Sequence, residues 1–441
     1  MLTRKVAIES KESVPVHHTL AKVPIQHCSK ALVVITSLFF MWGFLTCLND
    51  ILVPHLKSIF DLSYARVMLV QFAFFSAYFL FSVPWSRVVN TAGYQTTMVA
   101  GLAIMGIGAF LFIPAAFSAS YLLFLLALVT LATGITGLQV AANPYVVALG
   151  KPETASSRLN LTQAFNSLGT TIAPYVGGLL ILGAAPLTME ALSQFSAEDL
   201  HAYRVHQAAS VVTPYALIGA TLLLLAVAIG TSKLPKIESA VYDAEAKLTD
   251  SIWQHPNLLY GAIGIFVYVG AEVSIGSFLV NYLEEPEVGG ISAKTAAGFV
   301  SSYWSGAMIG RFIGAVILRR LRPGCLLAIC AISAATLVIA SMLASGSTAM
   351  WTILSVGLFN SIMFPTIFSL GVAELGPLTV SGSGMLNMAI GGGAVLPVAQ
   401  GVIADHIGLH QSFVLPVVCY AFIVFYGLSG SKPNSARQAR A

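Results

Sequence analysis

Ala31-Leu-Val-Val-Ile-Thr-Ser-Leu-Phe-Phe-Met-Trp-Gly-Phe-Leu-Thr-Cys-Leu-Asn-Asp50 is apolar for almost its whole length and closes on an amide and an acid. About 20 such residues, rising 1.5 Å each as a helix, cross the ~30 Å hydrocarbon core of a bilayer. A helix is demanded because each backbone amide must find its partner inside the segment. Working outward, comparable apolar runs begin near Ala31, Val67, Thr96, Tyr121, Leu159, Val211, Leu258, Thr295, Cys325, Met350, Gly382 and Ser412. The spacing predicts an all-α polytopic membrane protein of twelve transmembrane helices. Composition agrees, with 57% apolar and 9% charged residues among 441 and a mean hydropathy of +0.83, values outside the range of soluble globular domains.

Basic residues set the orientation. With the first thirty residues in the cytoplasm, all of the 22 lysines and arginines except Lys57, Arg66, Arg204 and Lys294 fall on or near the cytoplasmic side, which predicts that both termini are cytoplasmic. The net charge of +4 is this asymmetry seen in bulk and carries no expectation of nucleic acid. The N-terminal tail lacks the short apolar core and small-residue cleavage site of a signal peptide, so the first span is expected to stay as an anchor. Cys28, Cys47, Cys325, Cys330 and Cys419 are odd in number and scattered, which argues against a disulfide framework. The nine histidines lack the spacing of a metal site. Neither metal nor cofactor is expected.

The longest polar cytoplasmic segment divides the chain. The expected organisation is a tail at 1–30, a six-helix half at 31–231, a linker at 232–256 carrying Lys233, Lys236, Glu238, Asp243, Glu245, Lys247 and Asp250, a second half at 257–430, and a tail at 431–441. Two matches across the break suggest duplication. Pro144-Tyr-Val-Val-Ala-Leu-Gly150 answers Pro365-Thr-Ile-Phe-Ser-Leu-Gly371, and Gly169, Pro174 and Gly178 recur as Gly392, Pro397 and Gly401. Parallel six-helix halves with a substrate site between them near mid-membrane are the architecture this favours, as in the major facilitator fold.

Polar side chains inside the spans then locate a wet path. They fall in span one (Asn49, Asp50), two (Gln71), four (Gln139, Asn143), five (Asn160, Gln163, Asn166), seven (Glu272, Asn281), ten (Asn360) and eleven (Asn387, Gln400). Spans three, six, nine and twelve have none of these types in their interiors, so they are expected on the outside; span eight also has none and is the exception to the pattern, offering Trp304, Arg311 and a few serines. Spacings of three, four and seven align Thr46, Asn49 and Asp50; Gln71, Phe75 and Tyr78; Thr136, Gln139 and Asn143; and Gln163, Asn166 and Thr170, with Tyr268 one turn from Glu272. Amides donate and accept, and aromatic rings stack on a pyranose, so Asn49, Gln71, Gln139, Asn143, Gln163, Asn166, Asn360 and Asn387 are candidates to bind a neutral polyhydroxylated solute. Arg311 is the single basic residue set deep in a span, which disfavours phosphorylated substrates.

Each of these residues has a plainer reading. Membrane amides often serve as glue between helices, and it is their confinement to certain spans that favours a path. Gly306, Gly310 and Gly314, like Gly391-Gly392-Gly393, read as close-packing surfaces. Pro144, Pro174, Pro365 and Pro397 read as kinks; Trp85, Trp253 and Trp351 as interfacial anchors; Trp42 and Trp304 as packing or sugar stacking. A carboxylate inside a span costs at least ~2.5–3.5 kcal/mol, so Asp50 and Glu272 are candidates for proton coupling, with sodium the alternative ion and the same acids its ligands. A same-fold exporter of a drug or another solute fits the topology but favours a more apolar lining. No span carries the nucleophile and base of an enzyme.

The stretches Phe39–Pro54, Leu138–Pro144, Gln163–Gly169, Tyr268–Tyr282 and Phe364–Gly371 closely resemble the fucose-galactose-glucose symporter family of the major facilitator superfamily, over roughly residues 30 to 430, and are most similar to its bacterial glucose/galactose branch. The resemblance implies uptake of hexoses, glucose and galactose, by alternating access across the inner membrane, with a proton as coupling ion, surrounding lipid and a monomer as working unit. It carries proton coupling over to Asp50. The fucose branch has a glutamate at the place of Gln139, which does not titrate, and an amide at the place of Glu272.

Overall fold

The computed structural model describes residues 30–44, 64–118, 120–181, 195–196, 198–199, 202–203, 212–237 and 251–433. Asn49, Asp50, the linker residues 238–250 and nearly all of the two tails lie outside them. Among the described residues the regular structure is helical throughout.

The first helix, α1, is Lys30–Phe44. Tyr64–Phe117 runs through two spans with one non-helical residue, Gly93, at φ 82° and ψ 169°, a conformation that glycine reaches without the penalty other residues meet. Its arms are α2 (64–92) and α3 (94–117). Spans two and three are thus joined by a kink at Gly93. There follow α4 (Tyr121–Ala148), α5 (Ala155–Ile181), α6 (Val212–Thr231), α7 (Pro256–Glu284), α8 (Ala293–Ile317) and α9 (Pro323–Leu343). The last three are α10 (Gly346–Gly371), α11 (Gly376–Ile407) and α12 (Leu409–Gly430). Among the described residues eight helical stretches, the kinked one among them, are long and apolar enough to cross a membrane, so the protein is a multi-pass membrane protein.

Because successive helices alternate in direction, Arg87, Lys151, Arg158, Arg319, Arg320 and Arg322 gather at one end of the bundle, here termed the basic end. Two caps hold helices there. Arg158 donates to the Val146, Val147 and Lys151 carbonyls at 3.2, 2.7 and 2.8 Å, a cation where the end of α4 is partially negative. Asn257 of α7 donates to the Leu370, Gly371 and Ala373 carbonyls at 3.3, 3.3 and 3.0 Å, closing α10 within the C-terminal half.

The outer helices pair with each other. Phe112 of α3 meets Tyr215 of α6 with ring centroids 4.2 Å apart, and α9 meets α12 where a Cβ on Gly427 would lie 2.6 Å from the Gly324 carbonyl oxygen. Gly306, Gly310 and Gly314 let α8 settle on Leu358, Ser361 and Ile362 of α10, the packing role their spacing suggests. Trp253 and Trp351 are exposed at 68% and 51%, as interfacial anchors would be. Trp85 is not one of them. It is buried, donates its indole N–H to the Thr133 carbonyl at 2.9 Å, and lies against Gly137, so its position at a span end reflects α2–α4 packing.

Candidate functional site

The two halves meet along α2, α4 and α5 on one side and α8, α10 and α11 on the other. Ser156 and Ser369 hydroxyls share a hydrogen bond of 2.6 Å, Ser157 donates to the Ala315 carbonyl at 2.6 Å, and Asn160 donates to Thr366 Oγ1 at 3.2 Å. Deeper, Arg311 donates to Ser167 Oγ, and Thr171 lies 3.6 Å from Met308 Sδ. From Ser156 to Thr171 these links cover about 22 Å of α5 at 1.5 Å per residue. Across the second seam Ser383 of α11 donates to the Val140 carbonyl of α4 at 3.2 Å, and Gly384 faces Ser82 and Ser86 of α2. The bundle is therefore sealed at its basic end. The links are mostly neutral, each worth about 0.5–1.5 kcal/mol net, a strength suited to a seal that opens and recloses.

In the N-terminal half the amides sit just above this seal. Gln139 donates to the Tyr78 hydroxyl at 2.8 Å, pairing α4 with α2, and Gln163 reaches Asn143 Oδ1 at 3.5 Å. All three amides are buried, yet Gln139 Oε1 and Asn143 Nδ2 have no partner among the described residues. Unmet capacity of this kind, costly when buried, is what a bound hydroxyl-rich solute or water satisfies. Asn166 also ties α5 to α1 by donating Nδ2 to the Phe39 carbonyl at 2.9 Å, where Gly43 and Gly169 permit close approach. Gln71 lies on α2; Asn49 and Asp50 lie outside the described residues.

In the C-terminal half a break in α10 organises the site. Regular helix ends at Asn360 and resumes at Met363. Pro365 has no N–H for the Ser361 carbonyl four residues earlier, and Arg311 Nε donates there instead at 3.0 Å. The neighbouring Asn360 carbonyl lies 3.0 Å from the Tyr268 hydroxyl, which donates to Glu272 Oε1 at 2.7 Å. Thus the two acceptors exposed by one helix break hold the groups that flank Glu272. The same device recurs in the other half, where Pro144 has no N–H for the Val140 carbonyl that Ser383 occupies.

Asn360 is expected from its sequence position to bind solute, but both ends of its amide are taken. It donates to the Tyr303 hydroxyl at 2.8 Å and accepts from the Tyr420 hydroxyl at 2.7 Å, and it is fully buried. Asn387 donates to the Ser383 carbonyl one turn back at 2.9 Å, leaving Oδ1 without a partner among the described residues. Tyr303 and Tyr420 are not among the sequence candidates because each lies in a span without an amide or acid, whereas Tyr78 and Tyr268 stand at helical spacing from one. Tyr420 also qualifies the reading of α12, an outer helix that nonetheless sends a hydroxyl inward.

Two six-helix halves sealed at one end around buried amides and one acid are the build of an alternating-access membrane transporter. The chain belongs to the Major Facilitator Superfamily, whose family model matches residues 33–397. It is 52% identical to the glucose/galactose transporter of Brucella abortus over 403 residues, 91% of this chain and 94% of that protein. It is 35% identical to the L-fucose-proton symporter of Escherichia coli, over 88% of this chain and 90% of that one. Among solved structures it resembles FucP, a transporter of the same superfamily captured in the outward conformation, with a TM-score of 0.86, 33% identity, and coverage of 92% of this chain and 100% of that one.

Proposed function

We propose that this protein is a secondary active transporter that takes up hexoses, glucose and galactose, by alternating access and proton symport. The observation that carries the reading is the set of buried amides with unmet hydrogen-bonding capacity, Gln139, Asn143 and Asn387, directly above a seal built from serine, threonine and backbone groups. Neutral amides match the alternating donors and acceptors of a sugar. Similarity to a glucose/galactose transporter and an L-fucose-proton symporter supports the same solute class and coupling ion.

In this reading the basic end faces the cytoplasm, both termini lie there, residues 232–256 link the halves, and the protein works as a monomer in the inner membrane. The outward-facing state loads a proton at Asp50 and Glu272 and a hexose among Asn49, Gln71, Gln139, Asn143, Gln163, Asn166 and Asn387. Asn360 shapes the site from behind through its tyrosines. The halves then rock, breaking the Ser156–Ser369 and Ser383–Val140 links, and the site opens to the cytoplasm.

Uptake of labelled glucose into proteoliposomes, under pH and sodium gradients imposed separately, tests the proposal on wild type, Asp50→Asn and Glu272→Gln. Accumulation driven by the pH gradient and lost in at least one variant is expected. Accumulation that follows sodium alone, or that survives in both variants, overturns proton coupling through these acids; wild-type protein that moves no hexose overturns the substrate class.

A further inference from the structure

One hydroxyl on the second seam has its polarity fixed by its neighbours. Pro144 leaves the Val140 carbonyl of α4 without its helical N–H, and Ser383 Oγ of α11 lies 3.2 Å from that carbonyl across the halves. A carbonyl oxygen only accepts, so the single proton of the Ser383 hydroxyl points at Val140. The lone pairs of the same oxygen are left for Asn387, whose Nδ2 lies 3.4 Å from Ser383 Oγ and 2.9 Å from the Ser383 carbonyl. The result is a one-way chain from the Asn387 N–H through the Ser383 O–H to the Val140 carbonyl, in which donating to Val140 makes Ser383 a better acceptor. Ser383 and Asn387 are both fully buried. With the amide turned this way, Asn387 Oδ1 has no partner among the described residues.

We infer that Ser383 is a positioning residue that makes the α4–α11 seam responsive to hexose, holding the Asn387 amide only while the seam is closed. The inference rests on the transport reading above, in which Asn387 binds the sugar. In the closed state the amide is committed to Ser383, and a sugar hydroxyl must compete for it. When α4 parts from α11 the Val140 carbonyl leaves, the Ser383 hydroxyl rotates freely, and Asn387 offers its whole amide to the sugar. A ligand shifts a conformational equilibrium only by its difference in affinity for the two states. The contact between Ser383 and Asn387 supplies such a difference.

The other seam carries the link without the responsive amide. The offset that carries Gly169, Pro174 and Gly178 to Gly392, Pro397 and Gly401 also carries Asn160 to Ser383 and Ala164 to Asn387. Asn160 of α5 crosses to Thr366 of α10 as Ser383 of α11 crosses to α4. One turn further along, a methyl group stands where α11 has its amide, and a methyl group exchanges no hydrogen bond with a sugar. Closure is thus held at both seams but answers to hexose at one of them.

The test uses purified protein in lipid nanodiscs at a single pH, with Ser369→Cys as reporter of the open basic end and the protein lacking it as background. Maleimide labelling is compared with and without saturating glucose, and glucose occupancy is followed by thermal shift. In the otherwise wild-type protein glucose is expected to speed labelling about two- to tenfold, the shift that one hydrogen bond supplies. Ser383→Ala should label faster without glucose, still bind glucose, and lose the acceleration by glucose. Asn160→Ala should also label faster without glucose but keep the wild-type acceleration. If Ser383→Ala keeps that acceleration, or Asn160→Ala loses it as well, Ser383 is one more link in the seal and the inference falls. It falls too if Ser383→Ala no longer binds glucose, since Ser383 would then build the site and not respond to it, or if the otherwise wild-type protein binds glucose with no change in labelling. A wild-type protein that shows no thermal shift with glucose or galactose would instead overturn the transport reading itself.

Discussion

Ser156 and Ser369 lie 213 positions apart in the chain and place their hydroxyl oxygens 2.6 Å from each other across the sealed seam. An oxygen separation this close to the ~2.05 Å length of a disulfide makes the pair a natural lock for the closed seal. Ser156→Cys with Ser369→Cys is expected to cross-link under mild oxidation, stop net hexose uptake and exchange, and regain both on reduction. Each single variant, treated alike, controls for the native cysteines. Full transport with the cross-link in place would mean that the seal never opens during the cycle.

Glycine 384 supports a second prediction at the other seam. A Cβ there would sit 2.9 Å from Ser86 Cβ, 3.0 Å from Ser86 Oγ and 3.2 Å from the Ser82 carbonyl oxygen, so Gly384→Val wedges α11 away from α2. Overpacking of this kind costs about 1–3 kcal/mol, roughly a 5- to 150-fold shift in a two-state equilibrium. The variant should favour the state open at the basic end, read as faster alkylation of a cysteine introduced at Ser369. Unchanged labelling would show that the closed seal tolerates the bulk.

The buried amides divide into two kinds, and their substitution should separate them. Asn360→Ala leaves the Tyr303 and Tyr420 hydroxyls without their shared partner; at about 1–3 kcal/mol for each buried group left unsatisfied, the expected outcome is a lower unfolding temperature in detergent. Gln139→Ala and Asn143→Ala each remove one bonded atom, the donor to Tyr78 and the acceptor from Gln163, together with one that lacks a partner among the described residues, so each should cost less stability than Asn360→Ala and should weaken hexose binding, measured by ligand-induced thermal shift. The reverse pattern would exchange the roles assigned here to the two groups.

How much of this was readable from the chain depends on the range of the interaction. The spans, the proximity of Tyr268 and Glu272, the glycine packing stripe on α8 and the outer helices follow from hydropathy and from spacings within one helix. The kink at Gly93 was masked because the helix runs unbroken on both sides of it. What periodicity cannot supply is the neighbour. Arg311 and Ser167 are 144 positions apart, and nothing in either span identifies the other. Trp85 misled for a related reason: a tryptophan near a span end suits the membrane interface, and only the arrival of Gly137 from α4 turns it inward. Pro365 was legible as a kink, but its consequence, two carbonyls open to side chains of α7 and α8, required the three-dimensional arrangement.

Pro365 offers the most direct test of that consequence. Pro365→Ala restores an N–H able to approach the Ser361 carbonyl and favours helix by roughly 3 kcal/mol relative to proline in a helix interior. If α10 heals, Arg311 competes with the backbone for its own-half anchor, and the turn that presents the Asn360 carbonyl to Tyr268 straightens. The protein should then be at least as stable to heat as the wild type while its proton-driven uptake falls, since the break serves transport and not folding. Uptake and thermal stability measured on the same preparation decide the matter. A variant that is less stable would show that the break is needed to fit α10 against α7 and α8, whereas wild-type uptake would show that transport does not need the Ser361 carbonyl to be free.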